Sequence, residues 1–372
     1  VLESMLPLYR GGFGNPSSVH SEGRRARVRL DEARDQVAAL IGANPGEIVF
    51  TSGGTESDNF AIFGVALAPY QKKRHIVTCE IEHSAVLNPL RQIEELGYRV
   101  ERLPVDRCGC VDPERVRNAL TDSTALVTIQ HANSEVGTLQ DIERIGEIVR
   151  ERGILFHTDA VQSVGKIPID VKSLPVDLLS LSAHKLYGPK GVGALFIRRG
   201  TRPLFSLVCG GGQEKKRRGG TENVAGVVGF GKACQLAMER LGRGEAERMK
   251  KMRDQLWGQI QRSIPGAKLF GDPDNRLPNT LGCGFEGVDG ETLLIALDME
   301  GVSVSTGSAC SSGTGLPSLA LAAMQVPVDW INSSLRLSLG WGNTPDEMDR
   351  VVGTLAKAVR QGREKVFPGQ AD

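Results

Sequence analysis

Between Arg24 and Ile41 the apolar residues Val28, Ala33, Val37, Leu40 and Ile41 fall near one helical face with charges opposite, which predicts an amphipathic helix. After the turn Gly42-Ala43-Asn44-Pro45-Gly46 and the short apolar run Ile48-Val49-Phe50, the pattern alternates. Strand-like runs at His75–Cys79, Tyr98–Leu103, Ala125–Gln130, Ile154–Thr158, Leu178–Ser182 and Gly193–Ile197 are mostly separated by helix-like segments at Ser84–Leu96, Pro113–Leu120 and Ile142–Arg152. Strands alternating with helices predict an α/β fold with a mostly parallel sheet covered on both faces, whose ligands sit at the carboxyl ends of the strands. A long charged helical pattern runs from Val224 to Ile260. Beyond a boundary near residue 244 the texture changes to short strands (Thr280–Phe285, Val302–Ser305, Leu335–Leu339) between helices (Glu291–Asp298, Glu347–Gln361), which reads as a smaller α+β domain.

Composition narrows the function classes. The chain has 372 residues, about the length of two domains. It contains no apolar run of about 18 residues, so no membrane span is expected. Lys and Arg (45) nearly cancel Asp and Glu (44), leaving no global field for nucleic acid or an anionic membrane. Seven cysteines scattered from Cys79 to Cys310 do not form a disulfide framework and suit a reducing cytoplasm. The chain opens on Val1, and its first ten residues show no signal-peptide pattern.

Chemistry is therefore sought at strand ends. Thr51-Ser52-Gly53-Gly54-Thr55-Glu56-Ser57-Asp58-Asn59 follows a strand and opens a helix-like segment. Small residues there let backbone N–H groups approach an anion, so the segment is either a phosphate cup or an ordinary strand-to-helix turn. It lacks the GK[ST] ending of a nucleotide-binding P-loop. Lys185, in Ser182-Ala183-His184-Lys185, follows an apolar run, where a partly desolvated amine can form a Schiff base; a solvated loop lysine is the alternative. Asp159 ends a strand three positions before Gln162, an acid and an amide suited to a pyridinium nitrogen and a phenolic oxygen, or else a helix cap. His83 offers an imidazole to stack and shuttle a proton, or is a surface histidine. Asn133 is either an amide donor or a turn residue.

Cys310 sits among small polar residues in Ser305-Thr306-Gly307-Ser308-Ala309-Cys310-Ser311-Ser312, which suits an accessible, reactive thiol better than a core cysteine. Arg336 supplies a planar fork for a carboxylate or for an inter-strand salt bridge. Cys108-Gly109-Cys110 lacks a second pair at zinc spacing and reads as a turn, so no metal site is expected. The Lys215–Arg218 run reads as a solvated loop or a local anion contact rather than a nucleic-acid site.

Taken in order, Gly14-Asn15-Pro16-Ser17-Ser18 with His20, the Thr51–Asn59 run, Glu82-His83, Asn133 with Glu135 and Gly137, Asp159 with Gln162, Ser182–Lys185 before Tyr187-Gly188-Pro189-Lys190-Gly191, Gly210-Gly211-Gly212-Gln213-Glu214, Gly220-Thr221-Glu222-Asn223 and the Cys310 loop resemble cysteine desulfurases of the IscS/NifS type over nearly the whole chain. The resemblance implies a pyridoxal phosphate (PLP) enzyme of fold type I. It places a large PLP-binding domain at residues 11–243 and a small domain at 1–10 and 244–372 carrying the cysteine loop. Lys185 would bind PLP, Asp159 would pair its ring nitrogen, and His83 would stack on the ring and move protons. Gln162 and Asn133 would contact the ring oxygen and substrate. Gly54, Thr55, Ser182 and His184 would hold the phosphate, with Thr221 contributed across a homodimer.

Arg336, with Asn133, would take the carboxylate of L-cysteine, and Cys310 would accept its sulfur as a persulfide, releasing L-alanine. The sulfur would pass to an iron–sulfur scaffold or another sulfur-acceptor protein. The longer form of the cysteine loop implies direct handover to a scaffold. The family's opening strand and Ala-Thr-Thr-Pro segment have no counterpart before Leu6-Pro7, while Ser134 and Ala183 replace a common Asn and Gly. The competing readings are a selenocysteine lyase or another class V PLP enzyme, and a non-catalytic scaffold for binding partners.

Overall fold

The computed structural model describes residues 1–306 and 318–366, which divide into two compact units. The first comprises Val1–Leu103, Pro113–His131 and Gln140–Arg243; the second comprises Pro104–Asp112, Ala132–Leu139 and Gly244 onward.

In the first unit the chain runs through α1 (Leu2–Arg10), α2 (Ser21–Leu40), β1 (Ile48–Thr51), α3 (Gly54–Ala66), β2 (His75–Cys79), α4 (Ser84–Glu95), β3 (Arg99–Leu103), α5 (Pro113–Ala119), β4 (Thr124–Thr128), α6 (Ile142–Glu151), β5 (Leu155–Asp159), β6 (Leu178–Ser182), β7 (Gly193–Ile197) and α7 (Val224–Gly242). Among the described residues, seven strands form one sheet in the order β1-β7-β6-β5-β4-β2-β3. Five neighbours, β6, β5, β4, β2 and β3, are mutually parallel, while β7 is antiparallel to both β6 and β1. Strands β1, β2, β4, β6 and β7 are buried along their whole length, which is why they read as continuous apolar runs rather than alternating ones. Val49, Phe60, Val65, Ile76, Leu126, Leu178 and Leu195 belong to one core cluster of this unit.

The second unit contains α8 (Glu245–Ser263), β8 (Ala267–Phe270), β9 (Thr280–Phe285), α9 (Gly290–Met299), β10 (Ser305–Thr306), α10 (Leu319–Ala323), α11 (Val328–Asn332), β11 (Ser334–Ser338) and α12 (Pro345–Val366). Its strands pair antiparallel in the order β10-β11-β9-β8. Leu256 and Ile260 of α8, Leu281 and Phe285 of β9, Leu335 of β11 and Leu355 of α12 share its core.

Four expectations are corrected. The Val224–Ile260 pattern is two helices, because Gly244 takes a left-handed conformation (φ 79°) that ends one periodic run and opens the next. Residues 1–10 belong with the large unit: α1 carries Met5 against Gly229 of α7, where an added Cβ would come within 2.5 Å of the Met5 sulfur. Two insertions, Pro104–Asp112 and Ala132–Leu139, leave the large domain for the second unit, so the division is not a single cut in sequence. Val28 is exposed and falls off the face that α2 buries, which holds Ala33, Val37 and Leu40 as expected, together with Ala26 and Leu30. Among the described residues no helix is long and apolar enough to cross a membrane.

The contact between α2 and α7 tolerates no side chain at Gly231, where a Cβ would lie 2.7 Å from Ala33 Cα and 2.4 Å from Gln36 Oε1. Gly231→Val is expected to lower the urea midpoint at unchanged slope, by about 1–3 kcal/mol of overpacking. An unaltered midpoint would show that the two helices can part without cost.

Candidate active site

In the first unit, the predicted residues gather where parallel strands end. Asp159 is the last residue of β5 and Ser182 the last of β6. A single 3-10 turn, Ala183–Leu186, then carries His184 and Lys185, closed by Tyr187 in the left-handed region and by the Gly188 N–H donating to the Ala183 carbonyl at 2.9 Å. Lys185 is half-buried. The Asp159 carboxyl is buried and accepts the Val161 N–H at 2.9 Å. Burial holds its pKa above the ordinary range, opposed by that hydrogen bond and by the nearby His83 and Lys185 side chains.

Gly53 and Gly54 form a cradle beside these groups. A Cβ on Gly54 would sit 2.7 Å from Val161 Cγ2, and one on Gly193 would collide with the Gly53 backbone at 2.6 Å. Helix α3 begins here with Gly53 as its N-cap and no side-chain cap, so its first-turn N–H groups and the positive end of its dipole face an anion unblocked. Ser182 Oγ and His184 Nδ1 share a hydrogen bond at 2.9 Å. Thr55 is exposed in the first turn of α3 and lines, with Asn59, Ser84 and Asn88, a cavity of about 230 Å³.

His83 is the N-cap of α4, and its Nδ1 accepts the Ala85 N–H at 3.1 Å, so the neutral ring keeps its hydrogen on Nε2. The Gln162 carbonyl accepts from Lys166 Nζ at 3.1 Å, which assigns its amide hydrogens to the other side. Thr221 is exposed just ahead of α7.

The structure gives weight to two groups that the sequence offered only as parts of motifs, Asp58 and Glu82, and adds His157. Asp58 of α3 and Glu82 are buried near Asp159, and burial together with the Asp159 charge pushes Asp58 well above the carboxylate range and Glu82 up to about 8. Glu82 accepts the Gln130 N–H at 2.7 Å and the Cys79 thiol at 3.1 Å. His157 lies between Thr128 Oγ1 (2.8 Å) and Ser180 Oγ (3.0 Å), with Asp58 Oδ1 at 3.6 Å, and burial lowers its pKa to about 3. A histidine in an apolar strand and an aspartate in an apolar helix were the only signals, and both are also found in satisfied cores.

In the second unit, Asn133 heads the tight turn 133–137. Its Oδ1 accepts from Glu135 N (2.9 Å) and Val136 N (3.0 Å), and Gly137, at φ 82°, donates to its carbonyl. The turn thus uses the acceptor half of the amide. Arg336 of β11 is half-buried and donates from Nη1 to the Ser134 carbonyl (3.0 Å) and from Nη2 to Ser305 Oγ (3.2 Å), both neutral acceptors. Cys310 lies outside the described residues. Cys108 and Cys110 close a turn on Asp106 Oδ1, and burial with the Asp106 and Asp272 charges raises both thiols. The Lys215–Arg218 run is partly spent within the chain, Arg218 pairing with Glu56 at 2.9 Å.

The Aminotransferase class-V family model matches residues 1–351. The chain belongs to the class V aminotransferase family. It is 48% identical over 363 residues to the cysteine desulfurase IscS of Dictyoglomus turgidum, covering 98% of this chain and 92% of that protein. It is similarly 48% identical to the cysteine desulfurase IscS of Methanosarcina thermophila, covering 98% and 89%. A solved NifS-like protein superposes with a TM-score of 0.90 at 38% identity, over 97% of this chain and 95% of that one. SspA, solved in complex with cysteine, gives 0.79 at 36% identity, over 91% and 94%. The α/β architecture expected from the sequence is therefore that of this family.

Glu82 binds a proton in the folded state up to about pH 8 but only to about pH 4.5 unfolded, so its raised pKa makes stability fall as pH rises between those values. Glu82→Gln removes this term. Relative to the parent, the variant is expected to gain stability from pH 5.5 to 8, on the order of 1 kcal/mol per pH unit at most. Denaturant curves at both pH values check this, and parallel behaviour of the two proteins would show that Glu82 is not the proton carrier.

Proposed function

We propose that the chain is a PLP-dependent cysteine desulfurase that converts L-cysteine to L-alanine and holds the sulfur as a persulfide on Cys310. The observation that carries this reading is the meeting, in the first unit, of Lys185 with the buried Asp159 carboxyl and His83, beside a glycine cradle at an uncapped helix N-terminus. These residues fit the cofactor: a buried acid suits a protonated ring nitrogen, a bare helix terminus suits a phosphate, and a half-buried lysine suits an imine. When bound, PLP supplies the electron sink that lets the substrate's Cα–H and C–S bonds break.

The chain's residues then divide the work. Gly54 and Thr55 with Ser182 and His184 would hold the phosphate, and Asp159 would pair the ring nitrogen. Gln162 and Asn133 would contact the ring oxygen, and His83 would stack on the ring and move a proton through Nε2, its Nδ1 being engaged by the Ala85 N–H. The Lys185 amine would be the base that takes the substrate Cα proton. Arg336, with Asn133, takes the substrate carboxylate as a planar fork. The Cys310 thiolate attacks the substrate sulfur: the S–S bond forms, the C–S bond breaks, and its electron pair stays on the alanine fragment, which is then protonated.

A homodimer in which Thr221 reaches the phosphate of the second subunit completes the site. The persulfide passes to an iron–sulfur scaffold or another sulfur-acceptor protein in the cytoplasm. The IscS names of the relatives and the cysteine bound to SspA support the substrate assignment.

The purified protein is expected to be yellow, and L-cysteine is expected to shift its visible band and release alanine and, under reductant, sulfide in equal amounts. Lys185→Ala is expected to lose turnover by at least about 10³-fold. Cys310→Ala is expected to keep the band and its shift but lose sulfide release. A colourless protein that refuses PLP, or a Cys310→Ala variant with full sulfide release, would overturn the proposal.

A further inference from the structure

Glu56 lies in the first turn of α3, one residue past Thr55 and two past Gly54. Its Oε2 folds back to accept the Ser52 N–H at 2.9 Å, so the carboxylate lies across the entry to the helix, beside the uncapped N–H groups. Arg218, the last residue of the basic run, meets it there: Nε donates to Glu56 Oε1 at 2.9 Å and Nη2 to Oε2 at 3.3 Å, a two-pronged pair between residues 162 apart in sequence. Nη1 donates to the Gly219 carbonyl at 3.1 Å, so all three nitrogens of the fork are engaged. The loop that brings Arg218 here is itself closely held. The Gly219 N–H donates to the Val208 carbonyl at 2.7 Å, and a Cβ on Gly219 would come within 2.6 Å of the Gly210 backbone. Both side chains of the pair are partly buried, which protects it from screening by solvent.

A carboxylate in this place works against an anion-binding turn. The positive end of a helix attracts any anion within its first turn, so an unpaired Glu56 would occupy the field that a phosphate needs and would repel the phosphate as well. We propose that Arg218 is a positioning residue for the cofactor: by pairing with Glu56 it cancels the carboxylate at the start of α3 and leaves the helix terminus to the phosphate group. The inference rests on the reading of the Gly53–Gly54 turn as the phosphate site. Arg218 acts through Glu56 and need not touch the phosphate, since its nitrogens are already taken by Glu56 and Gly219. Burial opposes ionisation of Glu56, but the Arg218 and Ser52 hydrogen bonds outweigh it, so there is a charge to cancel.

The test is the affinity of the full-length protein, freed of cofactor, for PLP and for pyridoxal, which lacks the phosphate, each followed by its visible band. Arg218→Gln is expected to weaken PLP binding about tenfold and to leave pyridoxal binding unchanged. Glu56→Gln is expected to bind PLP at least as tightly as the parent, and Arg218→Gln combined with Glu56→Gln to return to within about twofold of it. A latch that only held the loop would instead weaken both ligands alike and lose as much in Glu56→Gln as in Arg218→Gln. Equal losses for PLP and pyridoxal in Arg218→Gln, or a double variant no tighter than Arg218→Gln, would therefore overturn the proposal. Thermal midpoints of the cofactor-free variants check folding. If Arg218→Gln does not fold, Glu56→Gln decides alone, and a selective loss of PLP affinity in it would overturn the proposal. A parent that binds pyridoxal as tightly as PLP would overturn the phosphate reading of the turn and the proposal with it, whereas a parent that prefers PLP, with the same preference in Arg218→Gln, would overturn only the role of Arg218.

Discussion

A single buried negative charge at Asp159 is the constraint around which the large unit is organised. An isolated carboxylate in a protein interior costs several kcal/mol even after relaxation, and among the described residues the backbone donor in direct contact with the Asp159 carboxyl is Val161 N–H. The rest of its stabilisation comes from His83 and Lys185, the two groups that the proposed chemistry needs to be mobile. Asp58 and Glu82 share the same interior, where Asp159 raises the pKa of both and Glu82 raises that of Asp58. Holding both of them protonated, and His157 neutral, leaves one charge at the end of β5, where a ring cation would complete it.

Sheet register delivers that arrangement without long-range adjustment. Asp159 lies opposite Ser180 across the β5–β6 ladder, and Ser180 in turn bonds His157. Two residues further along β6, Ser182 pairs with Gly193 of β7, and the absence of a side chain at Gly193 is what lets the Gly53 backbone approach. The acid, the hydroxyl and the glycine cradle are therefore set by neighbouring positions in one hydrogen-bonded ladder. The antiparallel β7 is part of this: it brings Gly193 to the catalytic edge at its first residue, whereas a parallel strand would arrive there at its last.

Much of this was legible in the sequence because buried parallel strands leave a local mark. His75–Cys79, Leu178–Ser182 and Gly193–Ile197 are strands with the bounds that their apolar runs indicate. Lys185, Asp159, His83 and Ser182 could be found because each follows such a run, and the large unit brings them to one edge of its sheet. What the sequence hid was set by tertiary partners. Helix α1 contains Pro7 and packs on α7, 220 residues away in order of magnitude, so nothing local announced it. The protonation states of Asp58 and Glu82 depend on desolvation and on which charges lie near, and residue type and spacing carry neither. The direction of β7 was invisible for a similar reason, since an apolar run of five reads alike in both senses.

The second unit solves the opposite electrostatic problem, and by a different device. Its buried Arg253 and Arg276 and half-buried Arg336 are held largely by neutral oxygens: Arg276 by the carbonyls of Val136 and Phe270, Arg336 by the Ser134 carbonyl and Ser305 Oγ, and Arg253 by the Leu277 carbonyl as well as by the Asp254 carboxylate. A carbonyl fixes the plane of a guanidinium as well as a carboxylate does but does not cancel its charge. Burial and the neighbouring Arg253 lower the Arg276 pKa to about 10, which shows how much unbalanced positive charge this region tolerates. An arginine oriented in this way is preorganised for an anion that is absent from the fold itself. Had Arg336 been paired with a permanently ionised side chain, a substrate carboxylate would have had to break that pair, and the energy of binding would have been spent on the exchange. Neutral acceptors orient the fork in advance, and the strength of the new ion pair is then available to hold the substrate.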